Sequence, residues 1–481
     1  MALRDLREWI ALLEREGELV RVRAEVDPYL EITEIVDRTV KAGGPALLFE
    51  NVKGARHPLL INQFGTERRM CLGFGVDRLD DVAERLGEVF EMQPPQGLVE
   101  KVKGLQKLKS IADSRPKLVR SGPSQEIVLT GDEIDLDILP ILHCWPGDPA
   151  PFLTLPAVIT RDPRTGSRNV GMYRMQKIDR RTTFMHWQLH KDGAADWRGM
   201  GERLEVAVAF GLDPITAYSA SAPLPKHIDE FMLAGFLRGD AVELVKGKTV
   251  DLEVPAHAEI ILEGTIEKGE LGIEGPFGDH TGYYSPAEPF PIFRLTAITM
   301  RRDAIYPSIV VGKPPAEDQW LAKATERIFL PAIRMTVPEI VDYDLPTAGT
   351  YHNCVIVSMR KAYPGHARKV ISAIWGLGLL SLTKCVVVVD EHVNVHDYEE
   401  VFFKVCANVD PERDIVIVKG PLDQLDHAPT LEAYGGKMGI DATHKGPAEG
   451  TRPWPDEIEM SAGVRSLVDS RWQEYGIPPE K

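Results

Sequence analysis

Five short segments hold the side chains best able to do chemistry. The most informative is Glu274-Gly-Pro-Phe-Gly-Asp279-His280-Thr-Gly-Tyr-Tyr284. Its glycines and proline cannot sustain a helix or a central strand, so a loop of defined shape is expected. Two carboxylates in different surroundings suit general acid chemistry, because one can stay ionised while the other carries a proton. The plainer alternative is a Gly-Pro turn with solvated acids. Asn169-Val-Gly-Met-Tyr-Arg174 reads as a strand in which Gly171 lets a ligand or another backbone approach closely; taken alone, a surface strand with a solvated arginine is the ordinary reading. In Phe184-Met-His186-Trp-Gln-Leu-His190 two readings compete. On a helix, His186 and His190 could share a metal. Yet Met185, Trp187 and Leu189 alternate with His186, Gln188 and His190, which is the period of a strand. Residues four apart on a strand lie about 13 Å apart, so at most one of these histidines is expected to bind any given metal. A lone strand histidine is also commonly a hydrogen-bonded pocket wall. Asp229-Glu230 stands where an apolar helix starts, a favourable place on the helix dipole. Tyr434-Gly-Gly-Lys-Met-Gly-Ile-Asp441 lacks the spacing of a phosphate-binding P-loop and is expected to be an ordinary loop.

These segments need a scaffold, and the chain changes texture three times. Leu6, Trp9, Ile10 and Leu13 share one helical face, Gly17 ends that helix, and Val20, Val22, Ala24 and Val26 alternate as a strand. Apolar runs at 45–49 and 59–61 complete a mixed α/β opening, and a Lys- and Arg-rich stretch at 103–120 looks like a connector. From about 125 to 310, short strands between Gly- and Pro-rich turns suggest a β-barrel or sandwich, interrupted by one helix near Ile228–Leu237. A helix over 317–333 carries the chain onward. From 350 the pattern is βαβ. Val355–Val357 is a strand, Ala367–Leu377 a helix, Cys385–Asp390 a buried parallel strand, Tyr398–Cys406 a helix and Asp414–Gly420 another buried strand. A terminal helix falls around Ala462–Tyr475. The expected fold class is α/β in several domains: an N-terminal α/β domain (1–115), a central β-barrel domain (116–315), a linker helix (316–345) and a C-terminal α/β domain with a terminal helix (346–481).

Composition bounds the partners. Asp and Glu number 72 against 56 Lys and Arg, a formal net charge of −16 over 481 residues. That excludes a basic nucleic-acid footprint, and an anionic substrate would require cations gathered in one pocket. The five cysteines are scattered without CxxC spacing, as reduced thiols are. No stretch approaches the roughly 20 apolar residues of a membrane span, and the N-terminus does not read as a secretory signal. A cytoplasmic protein with at most peripheral contact at the inner face of the membrane is expected.

Taken together, the segments resemble the UbiD family of reversible, non-oxidative decarboxylases over nearly the whole chain. The likeness runs from Gly44-Pro-Ala-Leu-Leu-Phe-Glu-Asn51 and Phe64-Gly-Thr, through the Asn169–Arg174 and Glu274–Tyr284 segments. It continues to Tyr363-Pro-Gly-His-Ala, Thr383-Lys384 and Lys437-Met-Gly-Ile-Asp-Ala-Thr443. The resemblance implies a split, flavin-reductase-like β-barrel holding prenylated FMN with Mn²⁺ (or Mg²⁺) and K⁺. It implies Asn169, His190 and Glu230 as metal ligands. It implies that Met172, Tyr173, Arg174, His186, Trp187, Gln188 and Lys191 line the cofactor, with Lys384 reaching its phosphate. By the same likeness Arg174 holds the substrate carboxylate, Glu274 orients Arg174, Asp279 donates the proton, and His280 stands behind. Asp at 279 resembles the branch acting on hydroxylated aromatic acids in ubiquinone or menaquinone biosynthesis. A catabolic phenolic or heteroaromatic acid enzyme and a non-catalytic flavin-binding subunit are the alternatives. A flavin prenyltransferase would supply the cofactor, and a homo-oligomer, dimer or hexamer, is implied.

Overall fold

The computed structural model describes residues 2–90, 112–226, 228–449 and 452–477. Half of the basic connector expected at 103–120, residues 103–111, lies outside the described residues. Helix α1 (Leu6–Arg15) buries Leu6, Trp9, Ile10 and Leu13, and the Asp5 carboxylate caps it by accepting from the Arg7 and Glu8 amides. Strand β1 (Leu19–Val26), helix α2 (Glu31–Lys41), β2 (Ala46–Val52) and β3 (Leu59–Ile61) follow. β1 runs parallel to β2, and β2 antiparallel to β3. The next strand of this sheet comes from far along the chain: Tyr306–Pro307 pairs with β3. The opening segment is thus stitched to the end of the central one. Their core is continuous, with Val36 and Phe49 in one cluster with Val206 and Phe293.

The central segment supplies β4 (Ala157–Arg161), β5 (Arg168–Met172), β6 (Met175–Lys177), β7 (Thr182–Met185), β8 (Arg203–Phe210), β9 (Ile260–Glu274) and β10 (Glu288–Met300). Among the described residues they form one antiparallel sheet in the order Phe152–Leu153, β6, β7, β10, β9, β8, β4, β5. β5 closes one end of this row and β6 lies next to the other end, yet only Tyr173 and Arg174 separate them in sequence. So short a link spans roughly 10 Å at most. The sheet therefore curls until its edges nearly meet, a split barrel with Tyr173-Arg174 bridging the seam.

Two helices complete the site's surroundings: α3 (Asp192–Gly199), and α4 (Glu230–Arg238), capped by the Asp229 carboxylate, which accepts from the Phe231 amide at 2.9 Å. Helix α5 (Asp318–Thr336) packs Leu321, Ala324 and Ile328 beside the barrel and Leu330 into the C-terminal core. One rigid element thus has an end in each core.

The C-terminal sheet has the order β11 (Ile340–Asp344), β12 (Cys354–Met359), β13 (Cys385–Asp390), β15 (Tyr434–Asp441), β14 (Ile415–Pro421). β12, β13 and β15 are parallel; β11 and β14 are antiparallel edges. Helix α6 (His366–Ile374) crosses between β12 and β13, and α7 (Tyr398–Asn408) follows β13. Two expectations change here. β14 is not buried on both faces: it is an edge strand and leaves Ile417 68% exposed. Tyr434–Asp441 is not a loop but β15. Its glycines serve packing, since a Cβ at Gly439 would lie 2.6 Å from Ile371 of α6. Helix α8 (Ala462–Arg471) and the turn Trp472–Tyr475 form the terminal helix. No helix among the described residues is long and apolar enough to cross a membrane.

Candidate active site

The barrel seam delivers Arg174 into a buried position between two carboxylates. Its Nε and Nη2 donate to the two oxygens of Glu274 at 2.9 and 3.2 Å, and its Nη2 also donates to Ser285 Oγ at 3.1 Å. Nη1 donates to Asp279 Oδ2, and the guanidinium lies 4.6 Å from the Phe277 ring centroid. Glu274 ends β9 and is fully buried; His186 Nδ1 lies 3.1 Å from its Oε2. Beyond Glu274 the chain turns, and Gln176 Oε1 and Asp148 Oδ1 accept from the Gly275 and Gly278 amides at 2.7 and 2.9 Å. These bonds fix the loop that the Gly-Pro spacing predicts and aim Asp279 back at the arginine.

Electrostatics follow from this geometry. Burial would raise Glu274, but the His186 hydrogen bond and the Arg174 charge outweigh it and hold it at about 2. Burial would likewise raise Asp279, but the charge of Arg174 and the bond to His280 keep it well below the usual carboxylate range. His280 moves the opposite way: its contact with Asp279 overcomes burial and lifts it to about 9. His186, buried beside Arg174, is pushed down and stays neutral.

Arg174, Asp279 and His280 open onto a cavity of about 830 Å³, whose near wall includes Met172, Tyr173, His186, Gln188 and Lys191. Its far wall is apolar and comes largely from α5, through Leu321, Phe329 and Ile333. A second cavity of about 420 Å³ shares Tyr173, Lys191 and Ser221 with the first. Asn169, His190 and Glu230 all line it, with Lys226, and Glu230 Oε2 accepts from the Val170 amide at 2.8 Å. Burial pushes Glu230 up to about 8, and the nearby charges of Asp229 and Asp192 act in the same direction. An amide oxygen, an imidazole and a carboxylate around such a space fit a hard divalent ion.

The structure revises several placements. β7 ends at Met185, so the strand does not continue to His190; His190 sits in a turn before α3, its amide held by Gln188 Oε1 at 2.9 Å. His186 and His190 consequently face different cavities. Gly171 lines the second cavity, as a position open to a ligand would, and its missing side chain also makes room for the Tyr173 ring, which a Cβ would meet at 2.3 Å. Trp187 lines neither of these two cavities: it is buried edge-on against Tyr173, with ring centroids 5.0 Å apart. Lys384 is turned away, its Nζ held by Asp426 at 2.7 Å. Lys226, unmarked in the sequence between two prolines and a histidine, joins Lys191 on the second cavity's wall, its Nζ 3.4 Å from Asp162 Oδ2. Sequence reasoning also missed Ser285, Gln176 and Asp148, and His352 of the C-terminal domain, whose Nε2 lies 2.7 Å from His280 Nε2. It missed a cluster of Glu326, Asp344 and His396, whose ligand atoms lie within 4.8 Å of one another. Lys323 donates to both carboxylates, so this group is an ion-pair network already supplied with a cation.

Comparisons with known proteins show the family and the fold. The model described as the 3-octaprenyl-4-hydroxybenzoate carboxy-lyase Rift-related domain matches residues 117–314. The C-terminal and N-terminal domain models of the same carboxy-lyase match 319–442 and 10–86. The chain belongs to the UbiD family of carboxy-lyases. A relative from Archaeoglobus fulgidus, itself uncharacterized, is 54% identical over 480 residues, covering 98% of this chain and 99% of its own. Among solved structures, the UbiD-class enzyme HmfF from Pelotomaculum thermopropionicum in complex with FMN is similar at 31% identity and a TM-score of 0.80, over 97% of this chain and 99% of that one. Vanillic acid decarboxylase of Sedimentibacter hydroxybenzoicus in its closed form is similar at 27% identity and a TM-score of 0.87, over 99% of both chains. Its open form gives 0.79.

Proposed function

We propose that this chain decarboxylates an aromatic carboxylic acid non-oxidatively, with prenylated FMN bound. We further propose that the acid is hydroxylated and carries a bulky apolar substituent, as quinone precursors do. The observation that carries this reading is Arg174 clamped between Glu274 and Asp279 at the mouth of a cavity whose far wall is apolar. HmfF has been described with FMN and with prFMN, and the vanillic acid enzyme acts on a phenolic acid, which supports the same chemistry here.

In this reading Met172, Tyr173, Gln188 and Lys191 would hold the flavin, and Asn169, His190 and Glu230 would hold Mn²⁺ or Mg²⁺, with Lys226 adding charge. When bound, the cofactor supplies an electron sink for the aryl carbon. The protein does the rest. Arg174 binds the substrate carboxylate by charge-assisted bonds, and Glu274, locked by His186, keeps the guanidinium oriented. An arriving carboxylate competes with Asp279 for Arg174. Asp279 then loses its strongest anion-stabilising contact, gains a second negative neighbour, and its proton affinity rises. It becomes the acid that places hydrogen on the carbon that CO₂ leaves.

The test is purification after co-expression with a flavin prenyltransferase. A prenylated flavin in the mass spectrum, and CO₂ release that is faster from aryl acids bearing apolar substituents, are expected. Absence of the modified flavin together with no CO₂ from any aryl acid overturns the reading.

A further inference from the structure

His280 reaches in two directions. Its Nδ1 lies 2.8 Å from Asp279 Oδ1, and its Nε2 lies 2.7 Å from Nε2 of His352. The partners belong to different parts of the fold. Asp279 is on the barrel loop, whereas His352 precedes β12 of the C-terminal domain. The segment presenting His352 is unusual: Thr350 and Tyr351 both adopt left-handed backbone, at φ 53° and 63°. Consecutive non-glycine residues there are uncommon and occur where surrounding structure demands them. The Tyr351 ring stacks on His280 at 6.4 Å.

We infer that His352 is a positioning residue for proton delivery: it accepts from His280 across the domain boundary, and the histidine pair holds the proton that recharges Asp279. This rests on the decarboxylase reading above. Each turnover converts an aryl carboxylate and one proton to arene and CO₂, so the carboxyl group of Asp279 must be refilled. As Asp279 gives its proton to carbon, the His280 Nδ1 proton passes to the carboxylate, leaving His280 neutral with its Nε2–H on His352. Solvent returns one proton to the pair before the next cycle.

The bonding pattern decides which ring carries the charge. Both nitrogens of His280 face an acceptor, Asp279 and His352. His352 has only this one well-formed ring bond, so a charged His352 would bury an N–H poorly. The groups facing His280 favour the same assignment. Asp279 lies on its own loop with Arg174 behind it, Asp318 at the start of α5 and Asp423 beyond β14, with Tyr351 and His352 on the approach to β12. His280 is raised and His352 is lowered, to about 4 by burial and by the His280 charge. The contact joins the barrel to the C-terminal domain, so it exists only while the two are closed on each other. Proton supply is thereby tied to a closed site.

The experiment compares wild type, His352→Phe and His352→Gln as flavin-loaded enzyme, reading kcat against pH and the His280 ring titration by NMR without substrate. Gln keeps an acceptor near the Nε2 position; Phe does not. Phe is expected to cost less than 3-fold in kcat at pH 6 and more than 10-fold at pH 8.5. It should also lower the His280 midpoint by at least one pH unit, while Gln restores both to near wild type. A pH-independent defect in Phe, an unmoved His280 midpoint, or a Gln variant that behaves like Phe overturns the inference. Wild type that releases no CO₂ overturns the decarboxylase reading instead, and the NMR midpoints still report the histidine coupling.

Discussion

Arg174 is the residue on which the site turns, because its donors are divided between a permanent partner and an exchangeable one. Glu274 takes two of them and is itself anchored by His186 and fully buried; Asp279 takes one, at the cavity wall. Substituting Asp279 by Asn keeps the shape and removes the acid. The expected outcome is a loss of kcat of about 10²–10⁴-fold with bound flavin unchanged by absorbance. A flavin-binding subunit without turnover would have no rate to lose. The carboxylates of this arrangement were legible because Gly and Pro between them force a loop, and a loop that carries two acids and a histidine is rarely idle. Lys384 misled because its partner, Asp426, is 42 residues away, and no local pattern announces a pairing of that kind. Lys226 and His352 escaped for the same reason: nothing in their neighbours marks them, and only the folded chain brings them to a cavity wall or to His280.

At the scale of elements, strand length separates the two histidines of Phe184–His190. Alternation of apolar and polar residues continued to His190, but β7 stops at Met185 where its pairing with β10 ends at Phe184 and with β6 at Met185. Alternation records side-chain chemistry, not the presence of a neighbouring strand. The consequence is testable. His190→Ala should lower manganese and flavin content together, measured by metal analysis and absorbance, because His190 faces the cavity of Asn169 and Glu230. His186→Ala should spare the metal and lower kcat, because it unlocks Glu274 behind Arg174. Equal metal loss in both variants would contradict the separate cavities. The C-terminal elements teach a related lesson. A run such as Ile415-Val-Ile-Val418 reads alike at the centre of a sheet or at its edge, and β15, rich in glycine, reads as a loop until α6 is seen to need its bare surface. Only the order of strands, which is long-range information, resolves either case.

Over the whole molecule, the net charge of −16 coexists with cations placed at a few joints, and histidines there couple stability to pH. His280 joins the barrel to the C-terminal domain. His396 joins the segment after β13 to β11, through Asp342 and Asp344, and Lys323 of α5 meets the same Asp344. His396 is raised to about 9 by its bonds to Asp342 and Asp344, which outweigh burial; His280 reaches about 9 as well. A histidine raised on folding adds stability that is complete below its unfolded value, about 6.5, and is lost as pH rises through the folded value. Glu274 and Asp279 act at the other end: both are depressed on folding, so their contribution is complete above the unfolded carboxylate range, about 4, and is lost as acid approaches about 2. The Tm is therefore expected to fall between pH 6.5 and 9, and separately below pH 4. His396→Gln should make the alkaline decline shallower while leaving decarboxylation unchanged, because His396 lines neither cavity. Scanning calorimetry of the two proteins from pH 3 to 10 checks it. An alkaline slope identical to wild type would mean that the His396 network does not hold its proton, and that the alkaline decline has its source in the His280 pair or elsewhere in the chain.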